Sequence, residues 1–304
     1  MRDTILASTP TVQPFKMGFL LAAGGTSLFA LKSIFVKLAY TQGVDTATLL
    51  LLRMLFAAPF YLFILIWLWA KPECVKPSKI EYQRIIALGF LGYYLSSWLD
   101  LEGLNYISAQ LERMTLYTYP IMTTLLGALL LKEKISKQIV IALALTYSGV
   151  IVLYAHEAKV NSHNASLGIS LVVLSALLFA FYVVYSKALI NRLGSRLFTS
   201  IAMLSSTVFV ILHFVLTHNI NGLHVNKAAL FYALLLAIFS TVLPSFMMTE
   251  AIARIGAART SIMGTLGPII TISLAIIWLD EPFGLYHLLG IALVMLGIGF
   301  LSKP

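Results

Sequence analysis

Charge is what this sequence has least of. Asp, Glu, Lys and Arg make up 11% of its 304 residues, while 60% are hydrophobic. A soluble domain carries about 25% charged residues to cover its water-facing surface, so a soluble enzyme is excluded. Cysteine is nearly absent: Cys74 stands alone, which rules out an intrachain disulfide and says nothing of compartment. Acidic residues are the scarcer sign, 12 against 21 basic, for a formal net charge of +9. The basic residues form no clustered stripe of the kind nucleic acid requires. They fill short gaps between apolar runs, as Lys and Arg do in membrane proteins.

Motifs of energy coupling and catalysis are missing too. No G-x-x-x-x-G-K-S/T occurs, so ATP is not the driver, and His156-Glu157 lacks the second histidine of H-E-x-x-H. There is no G-x-S-x-G, and no Asp pair is placed for intramembrane proteolysis. A channel needs a filter or a ring of like residues, and nothing resembles one. A membrane enzyme and a channel are thus the readings from other classes that a carrier must beat. No metal or cofactor is expected.

What is present is a series of long apolar runs. A hydrocarbon core about 30 Å thick takes roughly 20 apolar residues as α-helix. Ten runs meet that ruler: 17–40, 46–69, 83–104, 107–131, 137–155, 167–189, 197–217, 228–249, 256–279 and 285–302. They show none of the alternation of a barrel, so the fold class is an all-α integral membrane protein with ten transmembrane helices. The first run is too long for the apolar stretch of a signal peptide and is read as retained. With residues 1–16 as a cytoplasmic tail, 15 basic residues in the connections fall inside and three (Lys37, Lys159 and Lys227) outside. Lys32, Arg53 and Arg113 lie within spans. Both termini are therefore expected in the cytoplasm of a multi-pass protein of the cytoplasmic (inner) membrane.

The chain also matches itself at an offset of 148. Ile107 falls on Ile255, Ala109 on Ala257, Pro120 on Pro268, Thr123 on Thr271 and Glu133 on Glu281. The same register places Glu102 on Glu250 and Gly149 on Gly297, while an offset of 150 places Lys37 on Lys187. The halves, 17–155 and 167–302, hold five spans each. Five is odd, so the second copy enters the membrane from the opposite side. Such inverted-topology repeats let one packing of two halves open outward and its mirror open inward.

These residues resemble a known family. The 5 + 5 inverted repeat, Tyr119-Pro120 with Leu131 to Glu133, Gly267-Pro268 with Leu279 to Glu281, and Gly149 with Gly297 are similar to the drug/metabolite transporter superfamily, in its EamA-type members. The resemblance covers essentially the whole chain. It implies the fold and a transport function, with proton-linked or facilitated movement of metabolites, often outward. It implies no particular substrate.

Ionisable groups inside spans cost about 2.5–3.5 kcal/mol each on insertion scales, so each needs a reason. Lys32 and Arg53 are read as a cationic patch on a central cavity, able to hold a carboxylate or phosphate. The competing reading is an internal ion pair or carbonyl contact that fixes packing. Glu112 and Arg113 are about 100° apart on a helix, so one could face the cavity while the other pairs with Asp100 or Glu102 on the preceding span. Both lie near the outer end, where a surface ion pair is expected. If a proton is coupled to transport, Glu102 or Glu112 is the carboxylate that desolvation could retune. Glu250, the repeat mate of Glu102, either pairs at a gate or anchors the opposite interface. Pro120 and Pro268 fall mid-span as hinges or static kinks. Trp98, Tyr117, Tyr119 and Tyr182 are the candidate cavity aromatics, with Tyr94 and Tyr185 nearby in sequence. Glu133 and Glu281 suit the N-termini of the helices that follow them. Gly290, Gly297 and Gly299 permit close packing, within the bundle or in a homodimer.

The function expected is a secondary carrier of a small polar metabolite, an amino acid or related compound. It would work outward by alternating access; uptake by the same fold is the alternative. Its partners are a small-molecule substrate and the lipid bilayer, and no nucleic acid.

Overall fold

The computed structural model describes residues 12–131, 137–160, 164–218, 225–255 and 266–301. Every regular element among them is helical. In chain order these are α1 (Val12–Tyr40), α2 (Thr46–Trp69), α3 (Lys79–Gly89), a π-helical turn (Phe90–Leu95) and α4 (Ser96–Gly103). Next come α5 (Ala109–Leu116), α6 (Tyr119–Leu131), α7 (Lys137–Val160), α8 (Ala165–Leu193) and α9 (Ser195–Thr217). The last are α10 (Lys227–Ala237), a second π turn (Ile238–Val242), α11 (Leu243–Ile255), α12 (Leu266–Leu279) and α13 (Leu285–Leu301).

Among the described residues, five helices are long and apolar enough to cross a membrane: 16–40, 46–69, 165–186, 195–217 and 227–248. Shorter apolar helices cover 144–156, 266–279 and 285–297. The expected spans 83–104 and 107–131 are each divided, the first by a π turn and the second by a break at Tyr117-Thr118. Both departures have a backbone cause. Pro120 has no N–H to give the Leu116 carbonyl, and its ring disfavours helical geometry at the residue before it. At the break Thr118 donates its hydroxyl to the Thr115 carbonyl at 2.7 Å. A π turn inserts one extra residue into the helical ladder and is commonly found at functional sites.

Interruptions and boundaries repeat. The two π turns begin at Phe90 and Ile238, and the helices before them at Lys79 and Lys227; both pairs lie 148 positions apart. So do the ends of α6 and α12, at Leu131 and Leu279, and the starts of α7 and α13, at Lys137 and Leu285. Sequence register and helix architecture thus give one repeat.

Local chemistry ends the helices where they end. Asp45 caps α2 by accepting the Thr48 N–H at 3.0 Å. Ser108 caps α5 through Leu111 at 3.1 Å, and Asn226 caps α10 through Ala229 at 2.7 Å. Gly194, at φ 82°, makes the corner between α8 and α9 in a conformation that side chains with a Cβ rarely adopt.

The halves interlock. α1 packs on α11 and α12, α2 on α9, and α7 on α13. Gly149 and Gly290 face each other across the last of these contacts; a Cβ on Gly149 would lie 2.7 Å from the Gly290 carbonyl oxygen. Gly290 therefore serves packing inside the bundle. Leu20, Phe63, Leu129, Leu216, Ile277 and Leu285 point outward fully or largely exposed. Such an apolar exterior suits contact with lipid. Glu133 and the segment 256–265 lie outside the described residues.

Candidate functional site

The buried charge gathers where α1, α4 and α5 meet. Lys32 of α1 forms an ion pair with Asp100 of α4 and reaches Glu112 Oε1 of α5 at 3.3 Å. Ser33 donates its hydroxyl to Glu112 Oε2 at 2.5 Å. Both carboxylates are buried, Glu112 completely. Asp100 Oδ1 accepts no hydrogen bond among the described residues. One lysine thus serves two carboxylates and leaves an acceptor unfilled, in surroundings that strengthen every electrostatic contact.

Two arginines tie this first-half cluster to the second half by the same device. Arg113 Nε donates to Thr271 Oγ1 at 3.1 Å, and the Thr271 hydroxyl donates to the Ala30 carbonyl at 2.9 Å. Arg53 Nε donates to Thr241 Oγ1 at 3.1 Å, and Thr241 donates to the Leu236 carbonyl at 3.0 Å. Thr241 lies in the second π turn, which lets its hydroxyl reach a carbonyl five residues back. Each arginine is pinned through Nε. The expected surface ion pair of Glu112 and Arg113 is therefore corrected: both are buried and each has a partner on another helix. Depth along the span misled, because α5 meets protein rather than water at that level.

Contacts cross between the halves at both ends of the bundle. At one end Arg192 of α8 pairs with Glu81 of α3 at 2.5 Å. At the other, called the Glu281 end, several side chains cross. Glu281 accepts the N–H groups of Ala109 at 2.7 Å and Gln110 at 3.2 Å, capping α5. Gln110 Nε2 donates to the Pro282 carbonyl at 3.1 Å. Asn226 donates to the Gln42 carbonyl at 3.1 Å, and His218 Nε2 lies 3.3 Å from Asp45 Oδ1. Glu281 thus caps a helix of the other half and not α13, because its loop folds across the bundle onto the exposed N–H groups of α5. Burial pushes its carboxyl above the usual carboxylate range, against the two N–H donors and the charge of Lys37. Glu102 belongs to this end too. It accepts the Thr46 hydroxyl at 2.5 Å and the Tyr106 hydroxyl at 3.1 Å, both within its own half.

At the other end, the Glu250 end, a cavity of about 380 Å³ lies between the halves. Leu21, Ile64 and Trp67 line it from α1 and α2, and Arg196, Phe246, Met247, Glu250 and Arg254 from α9 and α11. Glu250 pairs with Arg254 Nε at 2.7 Å and with Arg196 at 2.9 Å. Donation from Arg254, joined by Arg196, holds its carboxyl below the usual range.

The model of the EamA-like transporter family matches this chain twice, over residues 16–155 and 166–303. The chain belongs to the EamA-like transporter family. It is a transporter of the drug/metabolite superfamily and a multi-pass membrane protein. One EamA-type relative, an uncharacterized transporter YcbK of Bacillus subtilis, is 32% identical over 273 residues, covering 88% of this chain and 86% of that protein. Another, the uncharacterized transporter sll1319 of Synechocystis, is 26% identical over 310 residues, covering 94% and 93%. A solved crystal structure with 12% identity and a TM-score of 0.68 covers 94% of this chain and 96% of its own. That likeness concerns the fold.

Within this EamA fold the sequence-derived candidates separate into groups. Lys32 and Glu112 are brought together, and Arg53 lies buried where α2 meets the second π turn. Tyr117 stands beside Arg113, its ring centroid 5.6 Å from the guanidinium carbon, and 6.4 Å from the Tyr119 ring. Trp98 packs on His213 at 5.5 Å, and Tyr94 bonds His213 Nδ1 at 3.0 Å. Tyr182 sits apart in an aromatic core with Phe179 and Phe198, its hydroxyl donating to Tyr93 at 2.9 Å. Pro120 lies in the first turn of α6 and Pro268 in that of α12. Sequence reasoning named Asp100 as a possible partner of Glu112 or Arg113, but missed Thr241 and Thr271 as the second-half partners of the arginines.

Proposed function

We propose that this transporter is a secondary carrier that exports a small polar metabolite, an amino acid or related compound, across the cytoplasmic membrane by alternating access. The carrying observation is the cavity between the repeats at the Glu250 end, set against the series of cross-repeat contacts at the Glu281 end. On the cavity's side the Arg192–Glu81 ion pair joins the repeats as well. With the termini inside, as the distribution of Lys and Arg supports, the Glu281 end is the outer one. The molecule is then closed outward and open toward the cytoplasm, the state in which an exporter collects its cargo.

In this reading the Lys32–Asp100–Glu112 cluster is the central site. A substrate ammonium takes the unfilled oxygen of Asp100, and its carboxylate competes for Lys32, so binding loosens the contacts that join α1 to α4 and α5. If transport is proton-linked, Asp100 and Glu112 share the exchangeable proton. Arg53 and Arg113 carry the change into the second repeat through Thr241 and Thr271. Tyr117 and Tyr119 close the site beside Pro120, which with Pro268 gives the helices freedom to bend.

The test is export followed by reconstitution. Overproducing cells are profiled for released metabolites, and the enriched compound is then assayed in proteoliposomes. Saturable flux with counterflow is expected, and Lys32→Ala loses it. Non-saturating flux without counterflow would mean a channel, and undiminished flux in Lys32→Ala would remove the cluster from the site.

A further inference from the structure

The cavity at the Glu250 end has a charge pattern that membrane topology alone does not require. Positive residues at a cytoplasmic face are ordinary, but here they converge on one concave wall. Arg196 comes from the start of α9 and Arg254 from the last turn of α11, and Glu250 draws both guanidinium groups together. Each arginine gives Glu250 one donor nitrogen and keeps others for a second acceptor. A third cation stands close by: the Lys71 ammonium lies 3.6 Å from the centroid of the Trp67 ring, and Trp67 lines the cavity. Two arginines therefore face one carboxylate in the cavity, and a lysine stands on the Trp67 ring beside them.

The remaining wall is apolar: Leu21, Ile64, Trp67, Phe246 and Met247. A cavity of about 380 Å³ falls in the range of roughly 300–1,000 Å³ found for small-molecule sites, which combine an apolar lining with a few fixed polar groups. Paired guanidinium groups match the two-oxygen face of a carboxylate, as they do that of a phosphate.

We propose that this cavity is a receiving site for organic anions. Arg196 and Arg254 hold a carboxylate head group, and the aromatic and aliphatic wall holds an apolar body of about one ring. The site rests on the carrier reading above and narrows it: cargo is chosen first by a negative head group, before it reaches the buried Lys32 cluster.

The test uses three probes of one shape and different charge: phenylacetate, phenylacetamide and phenethylamine. Each is added to purified full-length protein in phosphatidylcholine nanodiscs, and affinity is read from the rise in thermal midpoint with concentration. Phenylacetate should bind roughly tenfold or more tighter than the amide, the margin of one charge-assisted bidentate contact, and the amine should bind weakest. Arg254→Gln and Arg196→Gln should each remove the acid's advantage, while Arg254→Lys restores part of it.

Equal affinity for acid and amide, or an acid preference that survives both glutamine variants, would overturn the proposal. An anionic lipid head group is the other source of the same chemistry. If phosphatidylglycerol raises the midpoint through the same arginines and abolishes the phenylacetate effect, the site belongs to lipid and the proposal falls. Flux separates the two readings. Charge-selective binding without saturable transport of any compound retains the site and removes the carrier. Saturable transport with charge-blind binding does the reverse.

Discussion

Lys32 stands between two carboxylates, Asp100 and Glu112, that water does not reach. Removing one partner of a buried ion pair typically costs about 3–5 kcal/mol, because the other charge is left uncompensated, whereas removing both is often nearly neutral. Lys32→Met should therefore lower the thermal midpoint clearly. Lys32→Met with Asp100→Asn and Glu112→Gln, which removes all three charges, should recover most of that loss while flux stays absent. A triple variant that regains both stability and flux would make the cluster a packing device only. Single residues were partly legible in the sequence. A lysine deep in an apolar span announces that it needs a partner, but the partner lies 68 positions away on another helix. Tyr182 illustrates the opposite limit: an aromatic with a polar tip reads alike whether it lines a cavity or fills a core, and here it packs with Tyr93 and Phe198.

Among the elements, α5 is the one that both ends of the mechanism share. It is eight residues long, too short to be stable alone, and is held from outside itself. Glu281 caps its N-terminus from the opposite repeat, Glu112 and Arg113 fix its middle, and the break at Tyr117-Thr118 frees it from α6. Glu281→Gln keeps an acceptor but loses the charge-assisted hydrogen bonds, and should raise access of a thiol reagent to a cysteine at Gln110. Acidity should act in the same direction. Because burial raises the Glu281 carboxyl above its ordinary range, the carboxylate is lost as pH falls through that raised value, earlier than for an exposed glutamate. Reagent access at position 110 should therefore rise on mild acidification of the Glu281 side in wild type and stay flat in Glu281→Gln. Wild-type access that does not change with pH would contradict this.

The sequence announced the break only in part, through Pro120. It was silent on the π turns, since an extra residue in a helical ladder has no residue type of its own. They emerge only when helix boundaries are laid over one another. Glu281 was placed at a helix N-terminus on electrostatic grounds; which helix depended on how its loop crosses the bundle, a tertiary matter.

For the molecule as a whole, the architecture was the most legible level. Apolar length gives helices, and one gapless register gives a repeat that the π turns reproduce at the same offset of 148 from Phe90 to Ile238. What no single chain of letters contains is a state. The same inverted halves can close either end, and only packing reveals that the cavity lies at the Glu250 end.

The direct measurement of that asymmetry is a pair of distances in one membrane-embedded protein. Spin labels in a Cys74→Ser background are placed at Gln42 and Asn226 for the Glu281 end, and at Ile64 and Met247 for the cavity. Alternating access predicts two populations with opposite signs: a short Gln42–Asn226 distance with a long Ile64–Met247 distance, and the reverse. Glu281→Gln should shift the balance toward the second. Two distances that never change, or that lengthen and shorten together, would contradict the account.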